Sequence, residues 1–274
     1  MDVLFIFGSG LLVGIISSLF GIGGGILLIP ALHYLYPNLS SHSIMAISLG
    51  TIFINSLVNF YNFRLKKRAP NLNETLIMGL FCLAGSSLGY YFIKDMNPIL
   101  LKRIFSAVVA LTFIKTIVFT FVFKGQRVTN TVIHSNKSNW KVISFASFLG
   151  AFIASITGLG GGILFVPLLI FANFPMVKIS PYSNVAMAFA TFFGFIPHLL
   201  FNDPLMAHPH DSILFNYGLV GRVYFLVIFF FVLGSFITSK IGVNLNERIP
   251  SNVKGILFSL LLAFISIRMF FSTF

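Results

Sequence analysis

Apolar residues run through this chain in stretches far longer than a soluble core requires. No Asp, Glu, Lys or Arg stands between Val3 and Phe63, and residues 142–177, 179–202 and 223–239 are equally free of charge. One bilayer crossing takes about 20 apolar residues, so the pattern predicts an all-α polytopic membrane protein. Turn residues at Pro37-Asn38, Asn97-Pro98, Phe174-Pro175 and Ile249-Pro250 punctuate it. Apolar segments fall near 3–20, 22–36, 41–63, 75–93, 98–123, 142–157, 159–173, 180–201, 219–239 and 251–271. As one helix, residues 3–36 would be about 50 Å long against a hydrocarbon core of about 30 Å. The chain must therefore break or turn inside them.

The break lies at glycine. GIGGGILLIP spans Gly21 to Pro30, and GLGGGILFVP spans Gly158 to Pro167. A glycine inside a helix costs about 1 kcal/mol relative to alanine, so two Gly-x-Gly-Gly-Gly runs are costly unless used. Each glycine-centred pair of segments is a broken helix, a re-entrant hairpin or two short crossings. More of the chain recurs in order: SLGTIF around Thr51 resembles AFATFF around Thr191, LAGSSLG around Gly85 resembles VLGSFIT around Gly234, and FSAVVALTFIK resembles FSLLLAFISIR. These matches predict two homologous halves, 1–130 and 140–274, joined by a basic linker at 131–139, each with a glycine-centred pair and three transmembrane helices.

Charge orients the halves. The net charge is +12, yet only 9% of residues are charged. The basic residues cluster in loops: Arg64, Lys66, Lys67 and Arg68, then Lys124, Arg127, Lys137 and Lys141. That is the positive-inside pattern rather than a nucleic-acid surface. Loops 64–74 and 124–141 and the 240–254 segment are expected in the cytoplasm, and loop 202–217, with Asp203 and Asp211, outside. This arrangement requires each glycine-centred pair to start and finish on one side, which inverts the halves and places both termini outside. A single tilted crossing for each pair would make the halves parallel instead. The opening MDVLFIFGSG lacks a basic n-region, so no cleaved signal peptide is expected. Cys82 is the only cysteine, which excludes an intramolecular disulfide and a multi-cysteine metal site.

A break in a membrane helix exposes the backbone N–H groups of the helix that follows, and a helix N-terminus favours an anion. Two such termini converging at the midplane would hold an anion without a charged side chain. Gly21, Gly23, Gly24, Gly25, Gly158, Gly160, Gly161 and Gly162 are the candidate substrate site, with Ser18, Thr51, Asn55, Thr157 and Thr191 as nearby polar groups. Ser17, Ser155, Ser56, Asn59 and Asn184 belong to the same polar set, with helix–helix hydrogen bonding as the competing reading. Gly10-x-x-x-Gly14 and Gly85-x-x-x-Gly89 read as close helix contacts. Lys115, Arg268 and His198 are candidates for electrostatic or gating roles.

The doubled Gly-x-Gly-Gly-Gly-x-x-x-x-Pro motif, each copy followed by a helix with Gly50-Thr51 or Ala190-Thr191, resembles the TauE/SafE family of membrane proteins. The resemblance covers nearly the whole chain. It implies carriage of sulfur-containing anions such as sulfite, sulfonates or sulfoacetate, commonly outward, at the cell (inner) membrane, with no cofactor, metal or nucleic acid. An importer or proton-coupled carrier of another small anion is the nearest alternative. A membrane enzyme is a weaker one, because the six acidic residues do not lie deep in any span.

Overall fold

The computed structural model describes residues 2–36, 39–93, 96–97, 100, 103, 107, 140–171, 176–200, 219–220, 222–250, 253, 257 and 260. Its helices are α1 (Asp2–Phe20), α2 (Gly25–Leu35), α3 (Ser41–Leu65), α4 (Leu72–Ile93), α5 (Trp140–Thr157), α6 (Gly162–Phe171), α7 (Met176–Leu200) and α8 (Phe225–Arg248). Two short strands, β1 (Leu219–Val220) and β2 (Val223–Tyr224), pair antiparallel just before α8. All of α1, α3, α4, α5, α7 and α8 are long and apolar enough to cross a membrane. Their outward faces carry Leu12, Leu80, Phe229 and Phe236, which stay exposed as lipid contacts would. The segments expected at 98–123 and 251–271 lie almost wholly outside the described residues, as do loop 202–217, Lys115 and Arg268.

Sequence chemistry sets the helix ends. Ser40 caps α3 by accepting the Ser43 N–H at 3.1 Å. Glu74 reaches back to the Asn71 N–H at 3.0 Å at the start of α4. α8 differs from the segment expected at 219–239. The strand pair takes its first residues, and the helix continues through Lys240 to Arg248. The extension is held because Glu247 pairs with Lys66 at 2.9 Å and Asn244 accepts from Lys66 at 2.9 Å.

The two most extensive helix pairs are α1 with α8 and α4 with α5. Both depend on glycine. A Cβ at Gly10 would lie 3.1 Å from the Phe231 carbonyl carbon, and one at Gly89 would lie 2.5 Å from Phe152 O. Backbones this close are what the two small-residue spacings predict. α3 and α7 cross the centre antiparallel, with Phe53 against Phe192 and Asn59 bonded to Asn184. His198, at the end of α7, accepts the Arg222 N–H just ahead of α8 and defines an upper face. Lys66, after α3, and Glu247, at the end of α8, define a lower face. α1 packs parallel to α8, so it descends from the upper face, and α2 returns there to begin α3. α5 packs parallel to α4, so it rises from the lower face, and α6 returns there to begin α7. Each glycine-centred pair is thus a hairpin with a long and a short leg. The two hairpins enter from opposite faces.

Candidate functional site

The hairpin tips share one backbone conformation. Gly21, Gly23 and Gly24 have φ of 73°, 79° and 80°; Gly158, Gly160 and Gly161 have 70°, 73° and 74°. An L-residue pays about 1–2 kcal/mol in this left-handed region, and glycine pays none of it. The fourth glycine of each run, Gly25 or Gly162, is the first residue of the short leg. Gly24 O accepts the N–H groups of Leu27 and Leu28, and Gly161 O accepts those of Leu164 and Phe165. The N–H groups before them stand at the open N-terminus of a helix.

The tips meet in the middle of the molecule. A Cβ at Gly25 would lie 3.2 Å from Gly158 O, and one at Gly162 would lie 2.6 Å from the Ile22 Cα. Each tip is also tied to the central helix from the other part of the chain. Ser183 on α7 donates to Gly21 O at 2.6 Å, and Ser48 on α3 donates to Gly158 O at 2.7 Å. Ile52 and Met187 pack between the tips. Ser86 on α4 donates to Ala190 O, just as Ser235 on α8 donates to Asn55 Oδ1. These contacts relate Ser48 to Ser183 and Asn55 to Ala190. The sequence comparison had instead aligned Thr51 with Thr191, five positions out of register with the contacts.

Every described candidate side chain is buried, but their bonding differs. Thr191 donates to Met187 O at 2.6 Å and Thr157 to Ile153 O at 2.8 Å, so their own helices engage both hydroxyls. Thr51 Oγ1 and Asn55 Nδ2 are buried without a hydrogen-bond partner. Ser18 donates to Asn59 Oδ1 at 2.6 Å, Ser239 donates to the same atom at 2.7 Å, and Asn59 Nδ2 donates to Asn184 Oδ1 at 3.0 Å and Ser17 Oγ at 3.5 Å. All four hydrogen-bonding positions of the Asn59 amide are filled, by α1, α7 and α8 together. Asn62 continues the polar line toward the lower face by donating to Ser239 at 3.1 Å.

His198 is fully buried near the upper face, with Tyr90 edge-on at 5.4 Å. Arg222, 8% exposed, is the one buried Lys or Arg among the described residues. The sequence reading missed it, although it is the sole cation between Lys178 and Lys240. The lower face, in contrast, gathers Arg64, Lys66, Lys67, Arg68, Lys141, Lys178 and Arg248. Among the described residues no group of three or more His, Cys, Asp and Glu could hold a metal ion. Among the described residues, Glu74 and Glu247 stand at helix ends.

Two opposed hairpins among six membrane-length helices fit a membrane transporter. The comparisons agree. Residues 6–269 match the family described as "Sulfite exporter TauE/SafE", and the chain belongs to that family. A probable membrane transporter protein of Methanocaldococcus jannaschii is 24% identical over 258 residues, covering 92% of this chain and 90% of the relative. Two probable membrane transporter proteins of Haemophilus influenzae are 26% identical over 242 residues and 24% over 270, covering 86% and 95% of this chain and 84% and 95% of those relatives. No solved structure matches the chain at a significant level.

Proposed function

We propose that this chain exports small sulfur-containing anions, of the sulfite, sulfonate or sulfoacetate type, through the meeting point of its two glycine tips. One observation carries the reading: both short-leg helix N-termini start where the tips touch, Gly25 beside Gly158 and Gly162 beside Ile22. Their partial positive charges and free N–H groups attract an anion where a charged side chain would be costly. The family's described cargo is sulfite, which has the right charge. The test is efflux of radiolabelled sulfite from liposomes carrying the purified protein, beside a panel of sulfonates and carboxylates. Efflux no faster than from empty liposomes for every sulfur anion sinks this reading.

The same proposal makes the chain two inverted halves with the lower face in the cytoplasm. The matched hydrogen bonds of Ser48 to Gly158 O and of Ser183 to Gly21 O, and the contact of the two glycine tips, support the halves. The basic residues around Lys66, Lys141 and Lys178 support the orientation. In a Cys82→Ala background, Pro70→Cys is expected to react with impermeant thiol reagents from the cytoplasm only, and His208→Cys from outside only. Labelling of position 208 from the cytoplasm alone would reverse the assignment.

A further inference from the structure

The two sides of the tips are not filled alike. Ser18 and Ser155 each stand three residues before the first glycine of their motif. Ser18 faces Asn59, whose amide is fully bonded. Ser155 faces Gly194, where an added Cβ would lie 2.9 Å from the Ser155 hydroxyl. The step along the sequence that relates Ser48 to Ser183 and Asn55 to Ala190 also relates Asn59 to Gly194. One position is thus an amide that ties helices together, and its counterpart is a residue with no side chain.

Ser155 and His198 leave unmet polar groups on the upper side. Ser155 Oγ is buried, at 1% exposure, and has no hydrogen-bond partner. One helical turn beyond Gly194 on the same face of α7 is His198, whose two ring nitrogens are both buried without partners. Buried polar groups are nearly always bonded, and each exception calls for an explanation. A hydroxyl and an imidazole N–H can both donate, which suits an oxygen-bearing anion. Arg222, a cation whose backbone N–H donates to His198 O, stands beside it and favours a negative guest. No carboxylate among the described residues lies at this place; Glu74 and Glu247 are at the lower face.

We propose that Ser155 and His198, which flank Gly194, form an oxyanion-binding half-site between the glycine tips and the upper face. Asn59 fills the equivalent position on the lower side. The half-site extends the reading that an anion passes the tips, but it can be tested without knowing the cargo.

The probes are two thiol reagents of similar size, anionic sulfonatoethyl methanethiosulfonate and cationic trimethylammonioethyl methanethiosulfonate. They are added from the upper side to Cys82→Ala protein in liposomes. Ser155→Cys is expected to react at least about tenfold faster with the anion than with the cation, as a local positive field dictates. Gly194→Asn should slow that reaction about tenfold by placing an amide beside Ser155, a loss typical of one unfavourable contact at a site. Ser18→Cys should react from the lower side only after Asn59→Gly. Equal rates with both reagents, no reaction at Ser155→Cys, or free reaction at Ser18→Cys with Asn59 intact would each overturn the half-site. Added sulfite should protect Ser155→Cys. If labelling follows the expected pattern and sulfite gives no protection, the half-site stands and sulfite as cargo falls.

Discussion

Gly24→Val and Gly161→Val are each expected to cut anion efflux by about a hundredfold or more while the protein still reaches the membrane, since misplacement of a site by about 1 Å alone costs about that much. Both positions sit at positive φ, 80° and 74°. A side chain there costs about 1–2 kcal/mol, and more if it is β-branched. Space is the second barrier. A Cβ at Gly24 would meet the Val13 side chain at 2.2 Å, and one at Gly161 would meet Gly150 O at 2.6 Å. Overpacking of this kind adds about 1–3 kcal/mol. The long and short legs must then part, and the short-leg N-termini move away from the contact of the tips. Gly8 is the matched control, because a Cβ there meets nothing within 4 Å. Gly8→Ala should leave efflux unchanged. Wild-type efflux in both valine variants, once correct insertion is verified, would remove the tips from the pathway.

The second large effect is electrical. Export is expected to follow membrane potential and to ignore an imposed pH gradient. The uncharged stretches of the sequence contain no Asp or Glu, and the described acidic residues Glu74 and Glu247 stand at helix ends. The usual carboxylate relay for protons is therefore missing. An anion leaving a negative interior gains about 2.3 kcal/mol per charge per 100 mV, and a divalent oxyanion about twice that. At about 1.4 kcal/mol per tenfold, 100 mV sustains a gradient of about fiftyfold for a single charge. Liposomes with a clamped potential and a separately set pH gradient distinguish the cases. Flux that tracks pH and ignores potential would make this a proton-coupled carrier, with His198 the first residue to replace.

The parts of this molecule that the sequence made legible are those dictated by backbone geometry. Glycine takes the six positive φ values at the tips at no steric cost, which is why the same residues recur in both copies of the motif. Gly10, Gly14, Gly85 and Gly89 are readable for a similar reason, because each meets a neighbouring backbone that leaves no room for a side chain. Side-chain partnerships were harder to see. Asn59 is visible as a buried amide candidate, but its partners Ser18, Asn184 and Ser239 come from three other helices. Matching by identity locked onto Thr51 and Thr191 because threonine stands out among Phe, Ile and Ala. The contacts instead match Ser48 with Ser183, each of which donates to a tip carbonyl. Arg222 escaped because a lone cation at the edge of an apolar run resembles an ordinary span boundary.

The pairing of α1 with α8 has a consequence for how the protein is made. Ser18 and Ser239 touch in the finished structure yet stand 221 residues apart. At about 5–20 residues per second, a ribosome needs about 10–45 seconds to supply that partner. For that interval α1 must wait with Gly10 and Gly14 uncovered, and with Ser18 not yet joined to Ser239. A helix so placed is held by lipid, or by the insertion machinery, rather than by its own fold. The last steps of assembly therefore close the molecule around its first helix, and the contact that clasps the upper hairpin is among the latest to form.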